Sequence, residues 1–130
     1  MKLYNVYADG RTRLVEKDSR ALVVGVRPAA SVEAESAYLA CKQHFAPTGK
    51  YAVVQGSCSG HCCFSYSVVI IDKPDHEGPD GYYSPDSVAE VLSIESDEEA
   101  LQRATLIANL FNELDKDKKV IPCTTQTSTN

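Results

Sequence analysis

The sequence predicts an α+β fold, an antiparallel sheet of about five strands with two main helices packed on it. Three observations carry that expectation. Short β-branched and aromatic runs gather in residues 2–27 and again in 51–71. Tight-turn residues join them as hairpins, most clearly Asp9-Gly10. Two stretches, 31–45 and 96–115, carry apolar residues at helical spacing.

Lys2 to Tyr7 reads as a strand, Thr12 to Lys17 returns, and Asp18-Ser19-Arg20 turns the chain into a Val-dense third strand, Ala21 to Arg27. Pro28 ends this meander. Ser31 fits a helix N-cap, with Glu33 and Glu35 in the first turn. Ala34, Ala37, Tyr38, Cys41 and Phe45 fall on one face of that helix, and Pro47 and Gly49 stop it. Tyr51 to Gln55 and Cys62 to Ile71 form a central hairpin around Gly56-Ser57-Cys58-Ser59-Gly60-His61. Phe64, Tyr66 and Val68 alternate with Cys63, Ser65 and Ser67, the pattern of a strand with one buried face, and the continuous apolar run Val68 to Ile71 calls for cover on both faces. Residues 73–87 hold three prolines and two glycines and read as a long exposed loop, with Tyr82 and Tyr83 packed on the body or offered at an interface. Val88 to Ile94 fits a short helix or an edge strand equally well. Ser96 and Glu99 form a capping box. The helix behind it runs to about Asp115, with Leu101, Ala104, Ala108, Phe111 and Leu114 in a stripe widened by Ile107 and Leu110. So wide a stripe suits a helix packed on a sheet and also on a neighbouring chain. One domain over residues 1–116 is expected, followed by a flexible polar tail over 117–130 that contains Cys123.

Composition narrows the class. With 130 residues and 43% hydrophobic content, the chain is long enough for one domain with its own core. No apolar run approaches the roughly 20 residues of a membrane helix, and Asn5 and Asp9 interrupt any signal-peptide core, so a cytoplasmic location is expected. Five cysteines, an odd number, argue for thiols or metal ligands in a reducing compartment. The net charge of −5 is unevenly spread: residues 1–71 carry +3 and residues 72–130 carry −8. The basic content is too low for general nucleic-acid binding.

Four constellations could carry chemistry. Arg11, Arg13, Arg20 and Arg27 decorate the meander, as a solvated face or as a cradle for an anionic ligand, which an oligomer would bury between protomers using these arginines or Arg103 with Tyr82 or Tyr83. Asp75, Glu77 and Asp80 crowd the long loop and could mimic phosphates toward a basic groove on a partner protein. Cys41 with His44, and Cys58 with His61, repeat a C-x2-H spacing suited to zinc, against the plainer reading of Cys41 as a small core hydrophobe. Cys58 in G-S-C-S-G is also a candidate thiol nucleophile, but a strand follows it where a nucleophile elbow needs a helix.

In general build over residues 1–115, the N-terminal meander, the helix EAESAYLA, the hairpin opening YAVVQGS and the closing helix EEALQRATLIANLFNEL resemble small phage-encoded accessory proteins. Many of these look like inhibitors of host systems, including anti-CRISPR proteins and sponges for signalling nucleotides. The resemblance implies action in the host cytoplasm and transfers no functional residues. The leading expectation is therefore a non-enzymatic, cofactor-free, homo-oligomeric binding protein that occupies a host protein or sequesters an anionic, nucleotide-like molecule. The alternatives are a zinc- or thiol-dependent hydrolase or redox protein centred on Cys58, and a minor virion-associated structural protein.

Overall fold

Residues 1–18, 26–56, 64–78 and 81–120 are described by the computed structural model. Strand β1 (Lys2–Val6) reverses at Asp9-Gly10 into β2 (Thr12–Leu14). Gly10 sits at φ +94°, where a side chain is strained, and a Cβ there would meet Pro85 Cγ at 3.0 Å. After a 3-10 turn over Val15–Lys17, chain 30–34 returns as β3 (Ala30–Ala34), followed by α1 (Ala37–Phe45). The hairpin β4 (Tyr51–Gln55) and β5 (Phe64–Ile70) comes next, then β6 (Tyr82–Tyr83), β7 (Asp86–Ser93) and α2 (Asp97–Val120). The fold is α+β as expected, with seven strands among the described residues, divided between two antiparallel sheets of order β3-β1-β2-β6 and β4-β5-β7.

The second sheet is covered on both sides. Ala52, Val54, Val69 and Ile71 face a core shared with Tyr4, Val6 and Leu14 of the first sheet, Ala37, Ala40 and Cys41 of α1, and Tyr83. On the opposite face, Val68 packs with Tyr51, Val53, Tyr66, Ala89 and Val91 against Ala104, Ala108, Ile107 and Phe111 of α2. Small residues at 100, 104 and 108 let the helix approach closely. The cover on both faces accounts for the continuous apolar run at Val68–Ile71. The two sheets are also joined through backbone, where Gln55 N–H donates to Ala8 O at 2.9 Å.

Several elements differ from the sequence expectation. The first helix begins at Ala37 rather than beside Ser31, because 30–34 pairs along the edge of β1 (Asn5↔Ser31, Tyr4↔Val32). Ser36 is the N-cap, its Oγ accepting from Leu39 N–H at 3.2 Å. The return strand from the first hairpin ends at Leu14. The loop 73–87 contributes β6, which pairs with β2, and the undecided stretch 88–94 is an edge strand. Ser96 does cap α2, accepting from Glu99 N–H at 3.1 Å, but Glu99 Oε1 reaches Ser93 Oγ rather than closing the box on Ser96. The helix continues to Val120, so residues 117–120 of the expected tail are helical. Leu101, Leu110 and Leu114, placed in the packing stripe by spacing, are exposed. Of the expected third strand, Ala21 to Arg27, residues 21–25 lie outside the described residues, and Val26 and Arg27 are not in a strand. Among the described residues, no helix is long and apolar enough to cross a membrane.

Asn112 ties α2 to the hairpin. Its Oδ1 accepts from Lys50 N–H at 3.1 Å and Tyr51 N–H at 3.0 Å, and its Nδ2 donates to Tyr51 O at 3.0 Å. Truncating it orphans three backbone groups at the edge of β4. Asn112→Ala is expected to lower the unfolding free energy by about 2 kcal/mol in urea titrations. A loss within experimental error would show that water replaces the carboxamide.

Candidate polar cleft between the two sheets

A cleft of about 530 Å³ opens where the β1–β2 turn approaches the inner face of the second sheet. Its apolar floor is Val54, Val69 and Pro85, and its polar wall is Arg11, Gln55, Ser67, Ser84 and Ser87. The ladder builds the wall: Val54 lies opposite Ser67 and Val69 opposite Ser87. Arg11 stands at the mouth, half-exposed, its Nε 3.3 Å from Asp9 Oδ2. The other carboxylate oxygen of Asp9 accepts from Arg11 N–H at 3.1 Å. Asp9 thus holds the guanidinium by one edge, and among the described residues no partner takes its two terminal NH2 groups. The volume lies within the range of small-molecule sites. The site can offer a fixed cation, an amide and three hydroxyls, a set suited to an anionic or polyhydroxylated ligand.

The structure separates the arginine and tyrosine candidates. Arg13 lies on the outer face of the first sheet, 4.4 Å over the ring of Tyr82, with its Nε buried and without a hydrogen-bond partner. Tyr83 is corrected from a surface candidate to a core residue, 1% exposed and edge-on to Tyr38 at 5.3 Å. Adjacent strand residues point to opposite faces, so the Tyr82–Tyr83 pair cannot present one platform. Burial, followed by the charges of Cys41, Tyr38 and Asp72, pushes the Tyr83 phenol upward. Arg27 is exposed. Arg103 sits on α2, paired with Glu99 at 3.0 Å, apart from the other arginines on β2 and its turn. Arg20 lies outside the described residues.

Among the acidic candidates, Glu77 Oε1 accepts from Tyr38 N–H at 3.2 Å and so closes the N-terminus of α1, the place expected of Glu33 and Glu35. Asp75 belongs to a 3-10 turn, Pro74–His76, and Asp80 lies outside the described residues.

The Cys41–His44 pair does not converge. Cys41 is fully buried and its Sγ donates to Gly10 O at 3.4 Å, whereas His44 is exposed and edge-on to Phe45. Cys58 and His61 lie outside the described residues, and among those described no cluster of His, Cys, Asp or Glu could hold a metal ion. The core-hydrophobe reading suits Cys41, since burial, partly offset by a hydrogen bond with Thr12, pushes its thiol up to about 11.

Sequence reasoning missed Gln55, Ser67, Ser84 and Ser87. Of the alternating set expected on one buried face of β5, Val68 and Tyr66 pack toward α2 but Phe64 is exposed, and Ser65 on the other face is fully buried. The alternating serines were the available signal, because a strand covered on both faces has no solvent side on which to put them. No family model, curated protein or solved structure matches the chain.

The thiol's raised value gives a pH dependence of known sign. Folding favours the neutral thiol, so its contribution is complete below the unfolded value near 9 and is lost as pH rises toward about 11. Up to about 2–3 kcal/mol of stability should disappear across that window. The stability difference between wild type and Cys41→Ala, measured by urea unfolding, is expected to shrink on passing from pH 8 to pH 10.5. A constant difference would refute the shifted thiol.

Proposed function

We propose that the protein is a non-enzymatic binding module that captures a small phosphate-bearing ligand of nucleotide size in the cleft between its sheets. The observation that supports this reading is the combination at one mouth of an oriented guanidinium, Arg11, and the hydroxyls of Ser67, Ser84 and Ser87 over an apolar floor. Arginine presents paired donors to a phosphate, the hydroxyls match sugar and phosphate oxygens, and the floor of Val54, Val69 and Pro85 suits the faces of a base. Binding rather than turnover fits the chemistry of the wall, because the carboxylate at the mouth, Asp9, is already engaged with Arg11. The net charge of −5 opposes an incoming anion. That field is screened beyond about 8–10 Å at physiological salt, so the local groups decide. The resemblance to phage accessory proteins that sequester signalling nucleotides leads to the same reading.

Calorimetric titration with a panel of nucleoside monophosphates, and with inorganic phosphate as the minimal probe, tests this. At least one nucleotide should bind. Arg11→Ala should weaken it by roughly tenfold or more, Ser67→Ala by less, and Arg13→Ala should leave it unchanged, with affinity falling as salt rises. Failure of every probe to bind, or equal affinity of wild type and Arg11→Ala, would remove the reading.

A further inference from the structure

Strand β7 ends the second sheet, and among the described residues no strand pairs with its outer edge. The other end of that sheet is tied to the first sheet through Gln55 and Ala8. The register steps from Val68↔Ala89 to Val69↔Ser87, leaving Val88 as a bulge, so the regular part of the free edge is Ala89–Ser93. It carries no lysine or proline, the residues that usually blunt an exposed edge.

A row of exposed leucines lies above this edge. At 100° per residue, Leu106 and Leu110 lie about 20° to either side of Glu99 and so about 40° apart, and Asn112 lies roughly 120–160° away from the two leucines. Asn112 reaches Tyr51 at the β4 side of the sheet, whereas Glu99 reaches Ser93 at the end of β7. The leucine flank of α2 therefore looks toward the free edge. Leu106 and Leu110 are 60% and 53% exposed, and Leu92 on the opposite face of β7 is 52% exposed.

We infer that the Ala89–Ser93 edge and this helix flank form a two-fold interface with a second copy of the chain. A two-fold axis normal to the sheet at Val91 makes a continuous six-stranded sheet. Val91 then faces Val91 of the partner subunit, and Glu90 faces Leu92 of the partner subunit, so no like charges stand directly opposite, and Glu90 and Glu90 of the partner subunit are diagonal neighbours. Leu92 becomes the diagonal neighbour of Leu92 of the partner subunit. The same axis sets the two α2 helices antiparallel on one side of the sheet, with their leucine flanks turned toward each other. Any extended peptide could add a strand to this edge. A second copy related by this axis brings, besides a strand, its own exposed leucine flank to the same side, which is why the occupant is this chain itself.

Light scattering and sedimentation equilibrium on the full chain at micromolar concentration are expected to give twice the 14.2 kDa mass of one chain. Leu92→Lys and Leu110→Lys should each weaken the dimer by roughly tenfold or more, while Asn109→Lys, away from the flank, should not. Hydrogen exchange on the unaltered protein supplies a readout independent of whether the variants fold. The amides of 89–93 should gain protection as concentration rises. A monomer at every concentration, a dimer unaffected by both leucine variants, or exchange at 89–93 independent of concentration would overturn the interface.

Discussion

Strand β5 must be covered on both faces, and much of the architecture follows from that requirement. Val68 is fully buried against α2, while its neighbours Val69 and Ile71 are as deeply buried against the first sheet and α1. A strand with apolar groups on both sides cannot sit at a solvent boundary, so the chain needs two separate layers of cover. The long C-terminal helix supplies one. The N-terminal sheet with its short helix supplies the other, which is why residues far apart in sequence share one core. Register is fixed by the same demand, because a one-residue slip of β5 would turn Ser65 and Ser67 toward α2 and Phe64 and Tyr66 toward the inner core.

The cleft lies where the second layer of cover stops. Toward its Phe64 end, the inner face of β5 changes from Val69 to Ser67 and Ser65, and the opposing element changes from α1 to the turn at Gly10. Ser65 is nevertheless buried. It contacts Glu90 Oε2 at 3.3 Å and presses on Gly56, where a Cβ would come within 2.1 Å of its Oγ. No side chain fits at Gly56 without moving the serine. Polarity in this region is therefore a property of the sheet interior, and the same register that aligns the core places Ser67 and Ser87 beside Arg11.

The sequence was legible wherever a local rule settled the outcome. Asp9-Gly10 turned the chain as its residue types require, Ser96 capped the second helix, and the run Val68–Ile71 announced its double burial. It was ambiguous where two periodicities fit the same letters. SVEAES offers two serines with helix-forming residues behind both, and the open edge of β1 decided for a strand up to Ala34. VAEVLS suited a helix as well as a strand until β5 offered it a partner. The division into two sheets and the cleft between them were not legible. They depend on pairings such as Arg13↔Tyr82, and on the approach of Gly10 to Pro85, which no short window of sequence contains. The arginine and tyrosine candidates were grouped by residue type. Strand alternation then sent Tyr83 into the core and Arg13 to the outer face, leaving Arg11 as the one arginine at the cleft among the described residues.

The acidic half of the chain follows the same logic of local demand. Read linearly, residues 72–99 hold ten acidic residues and one lysine. In the fold these charges go to different tasks. Glu77 closes the first turn of α1, and Asp97, Glu98 and Glu99 occupy the first turn of α2, where the unpaired amides and the helix dipole favour anions. Asp97 also accepts from the Tyr66 hydroxyl at 2.7 Å, Glu90 meets Ser65, and Asp86 pairs with Lys73 at 3.6 Å. Both helix N-termini draw their acids from this one segment, α1 from the loop that crosses it and α2 from its own start. Six of the ten acids, Glu77, Asp86, Glu90, Asp97, Glu98 and Glu99, thus answer local demands at helix ends or pair with neighbouring side chains.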